Sequence, residues 1–334
     1  MDSLDQQVLS AARRWAGEGY RFALVTVAKT WGSSPRPPGA WLALREDGLV
    51  QGSVSGGCIE DDLIDRMRGG RLSNDQAGEK PFTLVYGISR EDALRYGLPC
   101  GGSLELVIEP SPDLILLADL AEHLKAGQMA QRSINLASGQ VAISTGQRHA
   151  GVRWDGQTLI TQHGPRWRLL IIGAGQVSRF LAPMALALDY QVSVCDPRVE
   201  YSSEWDIAEA AWVAGMPDDV VVDFNPDPHT AIVALTHDPK LDDMALLEAL
   251  KSPAFYVGAL GSKANNAKRR QRLSQHFDLT EQEVNRLHGP VGLAIGSKTP
   301  PEIAVSIVAE LIAVRRTNEA INIQTSAANA CAQG

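Results

Sequence analysis

The residues with the clearest chemical potential lie in glycine-rich loops that follow short apolar runs. Gly173 and Gly175 come directly after Leu169 to Ile172, a run that suits a strand buried on both faces. Glycine at such a position lets the backbone turn tightly and come close to a ligand. The helix predicted over Phe180 to Leu188 directs its N-terminal N–H groups and its dipole towards the same place. This pattern predicts an anion-binding loop.

A second predicted strand, Val192 to Cys195, ends on Asp196 and completes a β-turn-α-β unit of the kind that binds nucleotides. Ser178 replaces the third glycine of the usual pattern, which loosens helix–strand packing but leaves the anion site intact. An aspartate after this strand suits a ribose diol, whereas Arg198 suits a phosphate. The pair leaves NAD-type, NADP-type and other phosphorylated ligands open, and we expect both side chains to be exposed.

Four further apolar runs predict buried strands, at Val220 to Val222, Ala231 to Leu235, Ala254 to Val257 and Val291 to Ile295. The loops after the last three should meet at the carboxyl edge of a parallel sheet, where such folds bind ligands. Their candidate ligand contacts are His237, Gly261, Ser262, Lys263, Gly296 and Lys298. His237 is equally consistent with an acid/base and with a structural group. The segment G-S-K-T at Gly296 to Thr299 lacks the spacing of G-x-x-x-x-G-K-T, so we reject an NTPase P-loop.

The N-terminal half holds two thiols beside paired glycines. Cys58 follows Gly56 and Gly57 and opens a predicted helix with acids in its first turn, and Cys100 precedes Gly101 and a further glycine. A helix N-terminus favours a thiolate. The two thiols are either small buried residues beside tight turns or, if they face each other, contacts for a soft metal or a sulfur atom.

The elements that position these residues fall into two groups. Helical and alternating patterns in the first half predict an α+β domain, with helices at Ser3 to Ala16 and Asp113 to Gly127, strands at Arg21 to Ala28, Phe82 to Tyr86 and Leu104 to Ile108, and hairpins at Trp41 to Ser53 and Gln131 to Gly164. The loop Thr30 to Gly39 is either a plain surface loop or an anion contact through Ser33, Ser34 and Arg36. The second half predicts a doubly wound parallel α/β sheet.

Gly164-Pro165 marks the predicted boundary, so we expect domains at 1–164 and 165–318 and a flexible, frayed tail at 319–334. Thr299 and Glu302 predict a capping box at the start of the last helix, whose apolar face carries Ile303, Ile307 and Leu311.

Composition narrows the class of protein. A chain of 334 residues is long enough for two domains of ordinary size. The net charge of -8 argues against nucleic acid or an anionic membrane as the main partner. The four cysteines form no C-x-x-C pair, and no apolar run is long enough to span a membrane. We therefore expect a cytoplasmic protein in a reducing compartment.

In combination the motifs resemble the XdhC/CoxI family, accessory proteins of xanthine dehydrogenase and related molybdenum hydroxylases. The motifs that carry the resemblance are G-S-S-P-R at 32–36, G-S-V-S-G-G-C-I-E at 52–60, C-G-G at 100–102, I-I-G-A-G-Q-V at 171–177, C-D-P-R at 195–198, T-H-D at 236–238, Y-V-G-A-L-G-S-K at 256–263 and G-S-K-T-P-P-E-I-A at 296–304. They occur in order over roughly residues 10 to 315. Gln176 is a departure, because many relatives place His there and a role for that His does not carry over.

The resemblance implies an N-terminal domain of the family's own kind and a C-terminal Rossmann-like domain. It implies a chaperone that binds the molybdenum cofactor (molybdopterin or its cytosine dinucleotide) as cargo, protects it while a cysteine desulfurase adds the sulfido ligand, and delivers it to an apo molybdenum hydroxylase. We also expect a homodimer. The expected cofactor-binding residues are Ser34, Arg36, Gly56, Gly57, Cys58, Cys100, Gly101, Gly173, Gly175, Gln176, Asp196, Arg198, His237, Gly261, Ser262, Lys263, Gly296 and Lys298. Cys58 and Cys100 are the expected contacts to molybdenum or its sulfur.

Two other classes of function stay open. An NAD(P)-dependent oxidoreductase is favoured by Gly173, Gly175 and Asp196, but the sequence offers it no acid/base beyond His237. A nucleotide-sensing regulatory module would bind a nucleotide and not the pterin. The absence of a convincing catalytic constellation in the sequence favours an accessory factor over an enzyme.

Overall fold

The chain divides into two units, Asp2–Arg166 and Trp167–Gly334, and each has its own apolar core. The computed structural model describes residues 4–32, 36–72, 80–87, 103–148, 151–277 and 279–332, apart from the side chains of Cys58 and of residues 319–332. Among these residues, no helix combines the length and apolar character that crossing a membrane requires.

The described residues of the N-terminal unit form two antiparallel sheets and three helices. Its elements are α1 (Leu4–Gly17), β1 (Phe22–Trp31), β2 (Trp41–Arg45), β3 (Val50–Gly52), α2 (Cys58–Arg68), β4 (Phe82–Tyr86), β5 (Ser103–Glu109), α3 (Leu114–Lys125), β6 (Ala130–Asn135), β7 (Val141–Thr145), β8 (Arg153–Trp154) and β9 (Thr158–His163). The five-stranded sheet has the order β3-β2-β1-β5-β4, and the four-stranded sheet has the order β7-β6-β9-β8. The hairpins predicted from the sequence are confirmed, as are both long helices.

Strand β1 is buried on both faces because helices cover the five-stranded sheet from either side. Val25 and Val27 pack with Ile59 of α2. Leu24 lies on the opposite face and packs with residues of α1 and α3, among them Trp15. The alternation of side chains along a strand therefore divides this unit into two apolar layers. Helix α2, which begins at Cys58, is anchored by the first of them.

The C-terminal unit is a six-stranded sheet in which every pair of strands is parallel. Its elements are β10 (Trp167–Ile172), α4 (Gln176–Ala187), β11 (Tyr190–Cys195), α5 (Val199–Ser202), β12 (Ala211–Trp212), α6 (Pro217–Phe224), β13 (Thr230–Ala234), α7 (Pro239–Ala249), β14 (Tyr256–Ala259), α8 (Lys263–His276), α9 (Glu281–Asn285), β15 (Leu287–His288) and α10 (Pro300–Ala332). The spatial order β12-β11-β10-β13-β14-β15 is the doubly wound order 3-2-1-4-5-6. The predicted fold class is confirmed.

Helices cover both faces of the parallel sheet. Leu169 and Ile171 face a layer that contains α4 and α10, whereas Leu170 and Ile172 face α6, α7 and α8. This double burial explains why β10 is a continuous apolar run rather than an alternating one. The carboxyl ends of the strands lie at one edge, where the loops of interest emerge.

The strand predicted at Val220 to Val222 is wrong, because these residues belong to helix α6. Pro217 occupies the first turn, and Asp218 and Asp219 follow it, which are the residues that favour a helix N-terminus. Val220 and Val221 face the core, while Val222 is 59% exposed. A run of three apolar residues does not distinguish a strand from the buried side of a helix.

The strand predicted at Val291 to Ile295 is also wrong. The sixth strand is the preceding pair Leu287–His288, which lies parallel to β14. Gly292 has a φ of +96°, which breaks an extended conformation, and Leu293 and Ile295 are exposed rather than buried. The segment is a loop between β15 and α10.

Helix α10 begins as the sequence predicts and extends further than expected. The Glu302 carboxylate accepts the N–H of Thr299 at 2.9 Å, and Ile307 and Leu311 are buried in the core. The helix continues to Ala332, past Asn318, where we expected a frayed tail to begin.

The close approach of Gly173 to Thr236 gives a test of the fold. Gly173 has a φ of +103°, and a Cβ there would lie 2.8 Å from the backbone nitrogen of Thr236. Gly175 has a φ of -75° and open space around its Cβ position. We expect Gly173→Ala to lower the free energy of unfolding by roughly 2–4 kcal/mol, and Gly175→Ala to change it by less than about 1 kcal/mol. Urea denaturation of both variants measures the difference, and equal midpoints would contradict the described packing.

Candidate functional site

The loops after β10 and β13 meet at the point where the strand order reverses. β10 lies between β11 and β13, so the chain leaves β10 towards one side and returns to the sheet on the other. At such a switch point the two loops diverge and leave a crevice for a ligand. Gly173 closes the base of this crevice, because its backbone lies against Leu235 and Thr236.

The first turn of helix α4 is open to an anion. Gly175 is its N-cap residue, and no side chain caps the helix. Gln176 follows with an exposed side chain. Ser178 turns inward instead and donates to the carbonyl of Gly173 at 2.6 Å, which fixes the loop from within. The N–H groups of this first turn, which no side chain caps, and the dipole of α4 therefore favour a negative group at the mouth of the crevice.

Asp196 is buried, contrary to the expectation that it would be exposed. Its Oδ1 accepts from the Arg198 backbone N–H at 3.1 Å and from Arg198 Nε at 2.8 Å. Its Oδ2 accepts from the Ala174 N–H at 2.9 Å and from Arg198 Nη2 at 2.6 Å. Burial alone would raise the pKa of Asp196, but these hydrogen bonds from Arg198 and Ala174 outweigh it, so the pKa lies below its ordinary value.

The Asp196–Arg198 pair thus supplies a fixed cation rather than a free carboxylate. Each Asp196 oxygen already accepts two hydrogen bonds, which leaves no acceptor for a ribose diol. The Arg198 side chain is 25% exposed, its guanidinium lies 4.0 Å from the ring centre of Tyr201, and its Nη1 is 3.5 Å from the carbonyl of Thr236. A guanidinium held in this way is suited to a phosphate.

A buried network connects the loop after β13 to the loop after β14. Asp242 Oδ1 accepts from the backbone N–H and the hydroxyl of Thr236, at 3.1 and 2.7 Å. Its Oδ2 accepts from Arg269 at 2.9 Å, and Arg269 also donates to the carbonyl of Leu260 at 2.9 Å. Because one arginine holds both loops, their relative positions are fixed before any ligand binds.

The same network reaches the predicted contacts of the β14 loop. Asn266 donates to the carbonyls of Gly261 and Ser262 at 3.2 Å each. The Ser262 hydroxyl caps α8 by accepting from the Asn265 N–H at 3.1 Å, and the residue is exposed. Lys263 is exposed.

Three other predicted contacts stand on the surface. His237 is exposed and has a φ of +63°. Gly296 and Lys298 are exposed in the loop before α10, where the Lys298 N–H donates to Glu302 at 2.8 Å.

In the N-terminal unit, Glu60 organises the loop of the predicted thiol site. Its carboxylate accepts the backbone N–H groups of Val54, Ser55, Gly56 and Gly57, the last at 2.8 Å. It also accepts the hydroxyls of Ser53 and Ser55. Sequence reasoning placed Glu60 only in the first turn of α2. The paired serines and glycines just before it were the signal that these N–H groups need an acceptor.

This arrangement makes Glu60 an internal anion. Burial would raise its pKa, but the hydrogen bonds from Ser55, Ser53 and Gly57 lower the pKa to about 2. The backbone N–H groups of the loop are therefore already occupied and do not offer an anion site. Arg36 joins the same loop through a 3.3 Å hydrogen bond from its Nε to Ser53.

The thiol contacts stay predictions. Ser34, Cys100 and Gly101 lie outside the described residues, as does the side chain of Cys58, whose backbone opens α2 after the N-cap Gly57. Within the described part of the chain, no group of three His, Cys, Asp or Glu side chains could hold a metal ion.

Cys195 is a thiol of a different kind. It is fully buried at the end of β11, and burial raises the pKa of its thiol to about 12. Its Sγ lies 3.6 Å from the carbonyl of Gly215. A thiol that stays protonated in an apolar layer has a packing role.

The C-terminal unit is a Rossmann domain with an anion-binding crevice. Its strand order, the glycine loop at Gly173 and the fixed Arg198 together define it as such. The sequence model of the XdhC Rossmann domain matches residues 169–311, and that of the XdhC and CoxI family matches residues 15–86. The chain belongs to the XdhC and CoxI family.

Named relatives cover most of the chain. It is 28% identical to a protein of Bacillus subtilis named as a probable xanthine dehydrogenase subunit, over 88% of this chain and 93% of that protein. It is 28% identical to the molybdenum cofactor insertion chaperone PaoD of Escherichia coli, over 89% of this chain and 84% of that one. A crystal structure of a xanthine dehydrogenase from Bacillus halodurans aligns with a TM-score of 0.70 and 27% identity, over 95% of this chain and 96% of that one.

The internal role of Glu60 predicts a dependence of stability on pH. Because the pKa of Glu60 is depressed on folding, its contribution is complete above its ordinary value of 4.5 and is lost as the pH falls towards about 2. At pH 7 we expect Glu60→Gln to lower the free energy of unfolding by roughly 3 kcal/mol. The difference from wild type should shrink below pH 4.5. Urea denaturation across this range measures it.

The matched control is Asp61→Asn, which neutralises an exposed acid in the same helical turn. We expect it to change stability by less than about 0.5 kcal/mol. A Glu60→Gln variant that behaves like Asp61→Asn would show that the carboxylate does not organise the loop.

Proposed function

We propose that this chain is a molybdenum cofactor chaperone. It binds the cofactor as cargo, shelters it while a cysteine desulfurase adds the terminal sulfido ligand, and delivers it to an apo hydroxylase of the xanthine dehydrogenase and aldehyde oxidoreductase class. Support comes from the relative named as an insertion chaperone for this cofactor, which the chain matches over 84% of that protein's length. The relative named as a probable subunit of xanthine dehydrogenase indicates the class of the acceptor enzyme.

The observation that carries the proposal is the fixed guanidinium of Arg198 beside the open N-terminus of α4. The cofactor ends in a phosphate, or in a pyrophosphate in its dinucleotide form, and both suit this pair of features. The buried carboxylate of Asp196 argues against an NAD(P)-dependent oxidoreductase, because the ribose diol of such a cofactor would have no acceptor there.

The N-terminal unit has a predicted contact of its own for the cargo, in the loop before α2. The Glu60 carboxylate accepts the backbone N–H groups of this loop, which disfavours a phosphate there, and the neighbouring Gly56 and Gly57 are exposed. Molybdenum with its dithiolene sulfurs is soft, and a thiol is a soft ligand. We therefore propose Cys58 and Cys100 as contacts to molybdenum or its sulfur.

We further propose that the chain acts as a homodimer and that the desulfurase and the apo hydroxylase bind it in turn. Sulfuration needs an exposed molybdenum centre, whereas storage needs a covered one. A carrier meets both needs if it covers the molybdenum centre during storage and exposes it when the desulfurase or the hydroxylase binds. No catalytic residue is required for this role, because the chemistry belongs to the desulfurase and the cofactor.

A first experiment tests the sulfur contact. We expect Cys58→Ser, purified anaerobically from cofactor-producing cells, to retain less than about a tenth of the wild-type molybdenum, because a hydroxyl is a harder and weaker ligand for this metal. Molybdenum per chain is measured by mass spectrometry, and thermal melting reports the fold. Cys195→Ala is the matched thiol control and should retain its molybdenum. Full retention by Cys58→Ser would refute the assignment.

A second experiment tests the phosphate end. We expect Arg198→Gln to weaken cofactor retention by about tenfold, since it removes a charge-assisted contact to the phosphate. Arg179→Gln is the control, because Arg179 is a partly exposed arginine of α4 that pairs with Asp206 at 3.2 Å. Equal retention by the two variants would argue against a phosphate at Arg198. Reversible hydride transfer to NAD(P) by the wild type would favour the oxidoreductase instead.

A further inference from the structure

A partly buried carboxylate in the C-terminal unit accepts hydrogen bonds from three donors, and sequence reasoning did not single it out. Glu310 of α10 accepts from the Tyr256 hydroxyl at 2.5 Å and from the Gly292 N–H at 2.6 Å through its Oε2. Its Oε1 lies 3.0 Å from His288 Nδ1. Burial would raise the pKa of Glu310, but the hydrogen bonds from His288, Tyr256 and Gly292 outweigh it and hold the pKa below its ordinary value.

This geometry fixes the tautomer of His288. A carboxylate only accepts, so Nδ1 of the imidazole carries the proton and, in the neutral ring, Nε2 keeps its lone pair. The ring is stacked on Tyr256, with centroids 4.3 Å apart, so it does not turn freely. No hydrogen bond from the described residues reaches Nε2, and the side chain is 30% exposed. In its neutral form the ring therefore offers an oriented acceptor at Nε2.

His288 lies near the edge of the sheet that carries the ligand loops. It is the last residue of β15 and pairs with Gly258, one position before the end of β14. The loop that follows it is fastened to the same carboxylate at Gly292 and then exposes Leu293 and Ile295. An oriented acceptor followed by exposed apolar side chains suits a flat heterocycle that has N–H groups on one edge.

The chemistry of Nε2 selects the part of the cargo that binds there. A lone pair repels the oxygens of a phosphate but accepts from an amide or amine N–H. The pyrimidinone ring of a pterin carries such donors along one edge and has apolar faces. We propose that His288 Nε2 accepts a hydrogen bond from the pterin of the cofactor and that Glu310 is the positioning residue that holds the imidazole in this tautomer. This inference rests on the proposed function.

The test uses the full chain and a fluorescent probe, 6-hydroxymethylpterin, titrated by its own emission. His288→Asn keeps a donor for Glu310 but has nothing at the position of Nε2, so we expect it to bind the probe about tenfold more weakly, the loss of one hydrogen bond. His288→Gln can place a carbonyl oxygen near that position and should recover part of the affinity. Glu310→Gln can donate to Nδ1 and shift the proton to Nε2, so it should weaken binding as His288→Asn does.

Ser306→Ala is the control, because the Ser306 carbonyl accepts the N–H of Leu293 while its hydroxyl bonds only to Ile303 within α10. It should bind the probe like wild type. Cytidine 5′-monophosphate is the second probe, and its affinity should not depend on His288. Wild-type protein that fails to bind the pterin, or a His288→Asn variant with unchanged affinity, would overturn the proposal. A His288→Asn variant that loses affinity for cytidine 5′-monophosphate but not for the pterin would also overturn the proposal, because the ring bound at His288 would then be cytosine.

The outcome is separable from that of the proposed function. Molybdenum retention by wild-type protein is measured on the same preparations. If wild-type protein retains molybdenum but the His288 variants bind the pterin with unchanged affinity, the role of His288 is refuted and the proposed carrier function stands. A chain that retains no molybdenum loses the proposed function whatever the pterin titration gives.

Discussion

The architecture of the crevice depends on one close approach, that of Gly173 to the end of strand β13. Any Cβ at Gly173 would meet the backbone of Thr236, so these two loops touch only because the residue is glycine. Thr236 is itself fixed, because its hydroxyl donates to Asp242 and Arg269 donates to the same carboxylate. Three loops at the carboxyl edge thereby become one rigid rim. A ligand that binds to this rim finds its contacts already in place, which lowers the entropic cost of binding.

In both predicted binding loops, a carboxylate of the protein accepts backbone N–H groups that a ligand could otherwise use. The Glu60 carboxylate accepts the backbone N–H groups of the N-terminal loop. The Asp196 carboxylate accepts the N–H of Ala174 and also pairs with Arg198. In each case the carboxylate oxygens are occupied by hydrogen bonds from the protein itself. In the C-terminal unit, the Arg198 guanidinium and the uncapped N-terminus of α4 remain for a ligand.

The sequence predicted the glycine loop after β10 because a buried strand, a turn and a helix have a local pattern. It failed at Val220 and Val291, where short apolar runs carry no information on their conformation. It left Asp196 and Arg198 ambiguous, because adjacent residue types do not reveal which acid binds which base. It passed over Glu310, whose partners His288 and Tyr256 lie 22 and 54 residues away along the chain. Contacts of that range depend on how helix α10 packs on the sheet.

The central claim is that the chain carries molybdenum cofactor and gives it up to an apo enzyme. Transfer measures this most directly: protein loaded with the cofactor is mixed anaerobically with a cofactor-free hydroxylase, the two are separated, and molybdenum and hydroxylase activity are followed in each fraction. We expect molybdenum to leave the carrier and to appear in the hydroxylase in proportion to the activity gained. A carrier that holds no cofactor, or keeps it while the hydroxylase stays inactive, would contradict the account.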